Sequence, residues 1–91
     1  MVEKTESVAW ITGAGRGIGR AISLRLAADG FTVAINDVDE GAVHSVQQEI
    51  EAAGGHAIEV PGDITHEITV TNIVTSIVET FGRLDVLIAN A

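Results

Sequence analysis

The sequence predicts an α/β fold in which four strands alternate with three helices, βαβαβαβ, to build one parallel sheet covered on both faces. Three observations predict it. Strand-like apolar runs alternate with segments of helical spacing along the 91 residues. The apolar content is 46% with only 3% aromatic residues, so Ile, Val, Leu and Ala supply the mass, as they do in a parallel sheet flanked by helices. A Gly-rich turn stands where the first strand passes into the first helix. Short alternating units of this kind imply parallel strands joined by right-handed crossovers.

The elements follow in order. Residues 1–6, MVEKTE, read as a tail. Ser7 to Thr12, SVAWIT, is apolar on both faces and reads as a central strand. Gly13 to Gly17 is the turn. The helix after it carries Ile18, Ile22 and Leu26 at four-residue steps, widened by Ala21 and Ala28, and ends at Asp29 and Gly30. Phe31 to Asn36 is the second strand. Asp39 is a candidate N-cap for a helix over Glu40 to Ala53, with Val43, Val46, Ile50 and Ala53 inward and Gly54 and Gly55 as the stop. His56 to Val60 is a short third strand, broken by Pro61 and Gly62. Thr65 is a candidate cap for a helix over Ile68 to Phe81, with Val70, Ile73, Val74, Ile77, Val78 and Phe81 as its core stripe and Gly82 as its stop. Asp85 to Ile88 is the fourth strand. It has no polar alternation although it would be an edge, and natural edges are usually short, charged or covered. The expectation is that further strands follow, and that the chain is the first half of a larger doubly wound sheet.

Composition narrows the function. The formal net charge of −8 argues against nonspecific binding to nucleic acid or an anionic membrane surface. There is no cysteine, hence no disulfide, thiolate metal site or cysteine nucleophile. His44, His56 and His66 lack metal-ligand spacing, so no metal is expected. The polar N-terminus is neither a signal peptide nor a spanning segment, which makes a cytoplasmic location the default expectation.

The turn carries the chemistry. The spacing G-x-G-x-x-G does not fit; Thr-Gly-x-x-x-Gly-x-Gly, from Thr12 to Gly19, does. Gly13 allows the tight exit from the strand. Gly17 removes a Cβ where a pyrophosphate must approach the helix, and Gly19 lets the helix pack close to the sheet. The unpaired N–H groups and the dipole of the helix start then bind the anion. A strand, turn and helix in this order predict a Rossmann-like nucleotide-binding topology with strand order 3-2-1-4. Asp37, about 20 residues beyond the turn, is placed to accept hydrogen bonds from the adenosine ribose, and its charge would repel the extra phosphate of NADP. NAD is therefore favoured. Arg16, a basic residue in the turn, cuts the other way and keeps NADP open. Asp63, after the third strand, faces the ligand crevice and would accept from the adenine amino group.

On these residues the sequence closely resembles the N-terminal part of the short-chain dehydrogenase/reductase family. The matching stretches are TGAGRGIG at Thr12 to Gly19, Asp37, the Asp63-Ile64 pair, and LDVLIANA at Leu84 to Ala91. The resemblance implies a single-domain, usually oligomeric enzyme two to three times this length, transferring hydride between NAD(H) or NADP(H) and an alcohol or carbonyl. It implies that Gly13, Gly17, Ile18 and Gly19 contact the cofactor phosphates. Asp63 and Ile64 would hold the adenine, and Asn90 would brace the sheet beside the cofactor. Ala89 departs from the family's Asn-Asn-Ala-Gly motif. The catalytic Ser, Tyr-x-x-x-Lys and Asn of that family lie beyond Ala91. The chain has no tyrosine, and its one lysine is Lys4.

No catalytic residue is therefore assigned. The reading is that residues 1–91 are the dinucleotide-binding portion of an oxidoreductase, inactive alone. The alternatives are a noncatalytic nucleotide-binding module or sensor, and an enzyme with another adenosyl cofactor.

Overall fold

The computed structural model describes residues 7–91, so the tail expected over residues 1–6 lies outside the described residues. The order is β1 (Val8–Ile11), α1 (Gly17–Ala28), β2 (Thr32–Ile35), α2 (Glu40–Ala52), β3 (His56–Glu59), α3 (Glu67–Phe81) and β4 (Val86–Ile88). One four-stranded sheet has the order β3-β2-β1-β4, as expected. All pairings are parallel, with Val8 opposite Thr32, Thr32 opposite His56, and Trp10 opposite Leu87.

The near-continuous apolar character of β1 and β2 has a direct cause: alternate residues feed two cores. Ala9, Ile11, Val33 and Ile35 point to one face, where Ala27 of α1 and Val43, Val46 and Ile50 of α2 cover them. Val8, Trp10 and Ala34 point to the other face, against Ile73 and Ile77 of α3. Two sequential crossovers of one hand leave α1 and α2 on the same side. The chain then crosses back over β2 and β1 to reach β4, which puts α3 on the opposite side.

Several expected positions are corrected. Ile18 is 71% exposed, and Ala21 and Ala28 also face solvent; the buried line of α1 is Gly19, Ser23 and Ala27. Gly19 is small because α1 begins against the turn that precedes it, Ala27 lies close to Gly55 beyond α2, and the Ser23 hydroxyl is satisfied by donating to the Gly19 carbonyl at 2.8 Å. Ala53 is the exposed C-cap of α2 rather than a core residue. Val78 is 44% exposed, while Val70, Val74 and Phe81 are half-buried, so Ile73 and Ile77 carry the core contact of α3. The cap of α3 is His66, not Thr65, because the Thr65 hydroxyl and N–H both turn back to the Asp63 carboxylate. Asp39 does cap α2, accepting the Ala42 N–H at 3.0 Å.

Candidate functional site at the carboxyl ends of the strands

The chain leaves β1 through Thr12 and enters the turn at Gly13, whose φ is +63°. The turn is tied to the end of β2: the Ala14 N–H donates to the Asn36 carbonyl at 2.7 Å, and the Gly15 N–H to Asp37 Oδ2 at 3.1 Å. Gly17 opens α1 with φ +58°, a conformation that side chains disfavour, and a Cβ there would meet no protein atom within 4 Å. The space over the helix start is thus open, and no side chain caps its first turn. That is the cradle an anion needs, with N–H groups and the helix dipole aimed at open space.

Gly19 has a different reason. A Cβ there would overlap the Gly13 carbonyl oxygen and lie 2.6 Å from Asn90 Nδ2. Gly19 is expected to bring the helix close to the sheet; its close approach is to the turn itself. Asn90 locks the same corner, its Nδ2 donating to the Gly13 carbonyl at 3.1 Å.

A cleft of about 230 Å³ opens beside the turn. It brings together Gly13, Asp37, Asp63 and Ile64 from the predicted residues, together with Val38 and Ala91. Arg16, Gly17 and Ile18 stand outside it as exposed residues at the start of α1, and Gly19 packs beneath the turn. A larger hollow of about 310 Å³ beside α3, near Pro61, Thr69 and Ser76, includes no residue of the Gly-rich turn.

The carboxylates of the cleft are preorganised by local bonds. Asp37 accepts the Gly15 N–H on Oδ2 and the Asp39 N–H on Oδ1 at 3.2 Å, which leaves further lone pairs free. Asp63 Oδ1 accepts the Thr65 hydroxyl at 2.6 Å and the Thr65 N–H at 2.9 Å, and these bonds hold its carboxyl below the usual range. Arg16 is drawn to Asp39, Nη2 to Oδ2 at 2.7 Å, and Arg20 grips Glu49 through both carboxylate oxygens. Arg20 is therefore an α1–α2 link rather than part of the turn's open face.

Sequence reasoning assigned no role to three residues of this site. Asn36 is 1% exposed and donates through Nδ2 to the carbonyls of Val60 (2.8 Å) and Gly62 (3.2 Å), fixing the loop that carries Asp63. A polar residue ending an apolar strand was its only signal. Thr12 accepts the N–H groups of Asn90 and Ala91 on its hydroxyl. Gly15 cannot carry a Cβ without meeting Ala42 Cβ at 2.8 Å and Asp37 Oδ2 at 3.0 Å.

Fold and site together define a Rossmann-like parallel α/β unit with an open Gly-rich helix start beside an acidic crevice. Residues 7–91 match the family model described as short chain dehydrogenase, and the chain belongs to that family. It is 52% identical over 90 residues to the short-chain dehydrogenase/reductase eriH of Hericium erinaceus, covering 94% of this chain and 36% of that protein. A metagenomic short-chain oxidoreductase solved in complex with NADP superposes with a TM-score of 0.90 at 39% identity, over 93% of this chain and 38% of that one. A short chain dehydrogenase/reductase from Burkholderia phymatum solved in complex with NAD gives a TM-score of 0.87 at 37% identity, over 96% of this chain and 31% of that one. The chain spans about a third of the length of the relatives it matches.

Proposed function

We propose that this chain is the dinucleotide-binding portion of an NAD(P)-dependent short-chain oxidoreductase acting on an alcohol or carbonyl, with NAD preferred. The observation that carries the reading is the uncapped start of α1, with open space at Gly17, next to a cleft whose acceptors are Asp37 and Asp63. In this reading Gly13, Gly17, Ile18 and Gly19 present backbone to the pyrophosphate. Asp37 accepts from the adenosine ribose, Asp63 and Ile64 hold the adenine, and Asn90 braces Gly13. The cleft is smaller than the ~300–1,000 Å³ of drug-sized ligand sites, in keeping with an adenosine subsite rather than a site for the whole cofactor.

When bound, the nicotinamide would accept or give hydride; these residues would bind and orient it. Proton transfer to the hydroxyl needs a positioned acid–base group. The chain offers no tyrosine and only Lys4, so residues 1–91 bind and do not turn over. The active protein is then a longer, cytoplasmic homo-oligomer. No helix among the described residues is long and apolar enough to cross a membrane.

The test is titration calorimetry of the 91-residue chain with NAD, NADP and AMP, beside a hydride-transfer assay on a panel of alcohols and ketones. Saturable NAD binding without turnover is expected, and Asp37→Ala should weaken NAD while improving NADP relative to it. Unchanged selectivity would remove the Asp37 assignment, and turnover would require a catalytic group in this chain. A stable, folded chain that binds AMP as tightly as NAD would favour a noncatalytic nucleotide sensor.

A further inference from the structure

Arg16 stands one residue before the open helix start, and its guanidinium is 2.7 Å from Asp39 Oδ2. Asp39 is joined to the cleft: its N–H donates to Asp37 Oδ1, and Asp37 Oδ2 accepts from Gly15, the neighbour of Arg16. The loop after β2 and the Gly-rich turn thus form one closed circuit, Gly15–Asp37–Asp39–Arg16. Within it a single cation faces two carboxylates. Asp39 is kept ionised first by the Ala42 N–H and further by Arg16. Arg20 cannot relieve the imbalance, because Glu49 engages it on α2.

From this circuit we infer that Asp39 is a specificity-determining positioning residue: it holds Arg16 against the start of α2 and so withholds the turn's cation from a 2′-phosphorylated ribose at Asp37. The inference rests on the dinucleotide reading and adds to it a residue that need not touch the ligand. A guanidinium free to swing would meet a phosphate with paired, charge-assisted hydrogen bonds. Held by Asp39, it leaves the ribose rim with net negative charge. The Arg16 and Asp39 side chains are 68% and 48% exposed, so the hold is weak and salt-sensitive. Asp39 therefore biases the choice of ligand rather than forbidding one, by at most about fivefold on the scale of exposed ion pairs.

The probes are 5′-AMP and 2′,5′-ADP, which differ only by the 2′-phosphate. Their Kd values are measured by calorimetry on the 91-residue chain, on Asp39→Asn and Asp39→Ser, on Arg16→Gln, and on Arg16→Gln combined with Asp39→Asn. Asn and Ser both keep an N-cap acceptor for Ala42, so α2 retains its start, which circular dichroism checks. The expected result is a shift of about two- to fivefold in the Kd ratio toward 2′,5′-ADP in Asp39→Asn and Asp39→Ser. That shift should shrink at high salt and be largely lost in the Arg16→Gln background. A cap with no other role would leave the ratio unmoved, which overturns the inference. A shift of equal size without Arg16 also overturns it, since Asp39 would then act by its own charge alone. Failure of the unaltered chain to bind 5′-AMP at all is a separate result: it removes the dinucleotide reading, and this inference with it.

Discussion

The Thr12 hydroxyl accepts the backbone N–H of Asn90 at 2.9 Å and, on the same oxygen, that of Ala91 at 3.1 Å. Thr12 is 3% exposed, and its own N–H donates to the Ile88 carbonyl, so the end of β1 and the segment after β4 are fastened side by side. Asn90 then reaches Gly13. A residue that reads as the polar end of a strand is the joint between the turn and the last segment. Thr12→Val keeps the shape and removes the acceptor. It should cost about 0.5–1.5 kcal/mol, the net worth of an ordinary hydrogen bond, because Asn90 and Ala91 are exposed and water can reach their N–H groups. A lower urea midpoint with an unchanged m-value is the signature, and an unchanged midpoint would show that water replaces the hydroxyl.

The glycines of the turn separate into two kinds, and substitution should tell them apart. At Gly19 a methyl group collides with the Gly13 carbonyl and Asn90, so Gly19→Ala must push α1 off the turn. Overpacking of this kind costs about 1–3 kcal/mol. At Gly17 there is room, but φ is +58°, so Gly17→Ala pays about 1–2 kcal/mol in left-handed backbone strain. Thermal melts should show both losses. Nucleotide titration should show that Gly17→Ala, whose methyl stands in the open space over the helix start, also weakens AMP and NAD. Retained NAD affinity in Gly17→Ala would move the phosphate position away from that space.

The strand order and all seven elements were legible because β1 and β2 are apolar on both faces and because each helix stops near a glycine. The Gly13–Gly17–Gly19 spacing and the crevice positions of Asp37 and Asp63 were legible for the same reason: they follow strand ends. What the sequence concealed was rotation and pairing. Of the expected stripe Ile18, Ile22 and Leu26, the last two pack half-buried against the core and Ile18 is exposed, while the fully buried line of α1 runs through Gly19, Ser23 and Ala27. Gly19 lies against the turn and Ala27 close to Gly55, and hydropathy does not register small residues as core. The partners of Thr12, Asn36 and Arg16 lie 23 to 79 positions away, where no local pattern reports them.

Asn36 should prove the most sensitive residue of the cleft floor. Its Nδ2 holds the carbonyls of Val60 and Gly62, and its own carbonyl accepts from Ala14 in the turn. Asn36→Leu removes the side-chain donor in a site that is 1% exposed. The loss should be about 1–3 kcal/mol, and the loop carrying Asp63 should loosen. Hydrogen exchange over residues 61–65 reads this directly. Protection unchanged from the unaltered chain would mean that the Asp63–Thr65 bonds suffice to hold the loop.

Acid should weaken the joint where β1 meets β4. Asp85 accepts both Nε and Nη2 of Arg83 at 2.8 Å, and its Oδ2 also takes the Val8 N–H at 2.8 Å. The Arg83 bonds, then the Val8 bond, hold the carboxyl below its usual value near 3.8. A carboxyl with a lower value folded than unfolded contributes stability at pH above the unfolded value. That contribution fades as pH falls through the folded one. Asp39 and Asp63 are lowered too, so the acid limb belongs to several groups and must be read by difference. Asp85→Asn keeps an acceptor for Val8 but cannot titrate. The expected outcome is a lower melting temperature than the unaltered chain at neutral pH and a shallower fall below about pH 4, so that the two curves converge in acid. Parallel curves across that range would assign the acid limb to the other carboxylates and leave Asp85 only its neutral hydrogen bond to Val8.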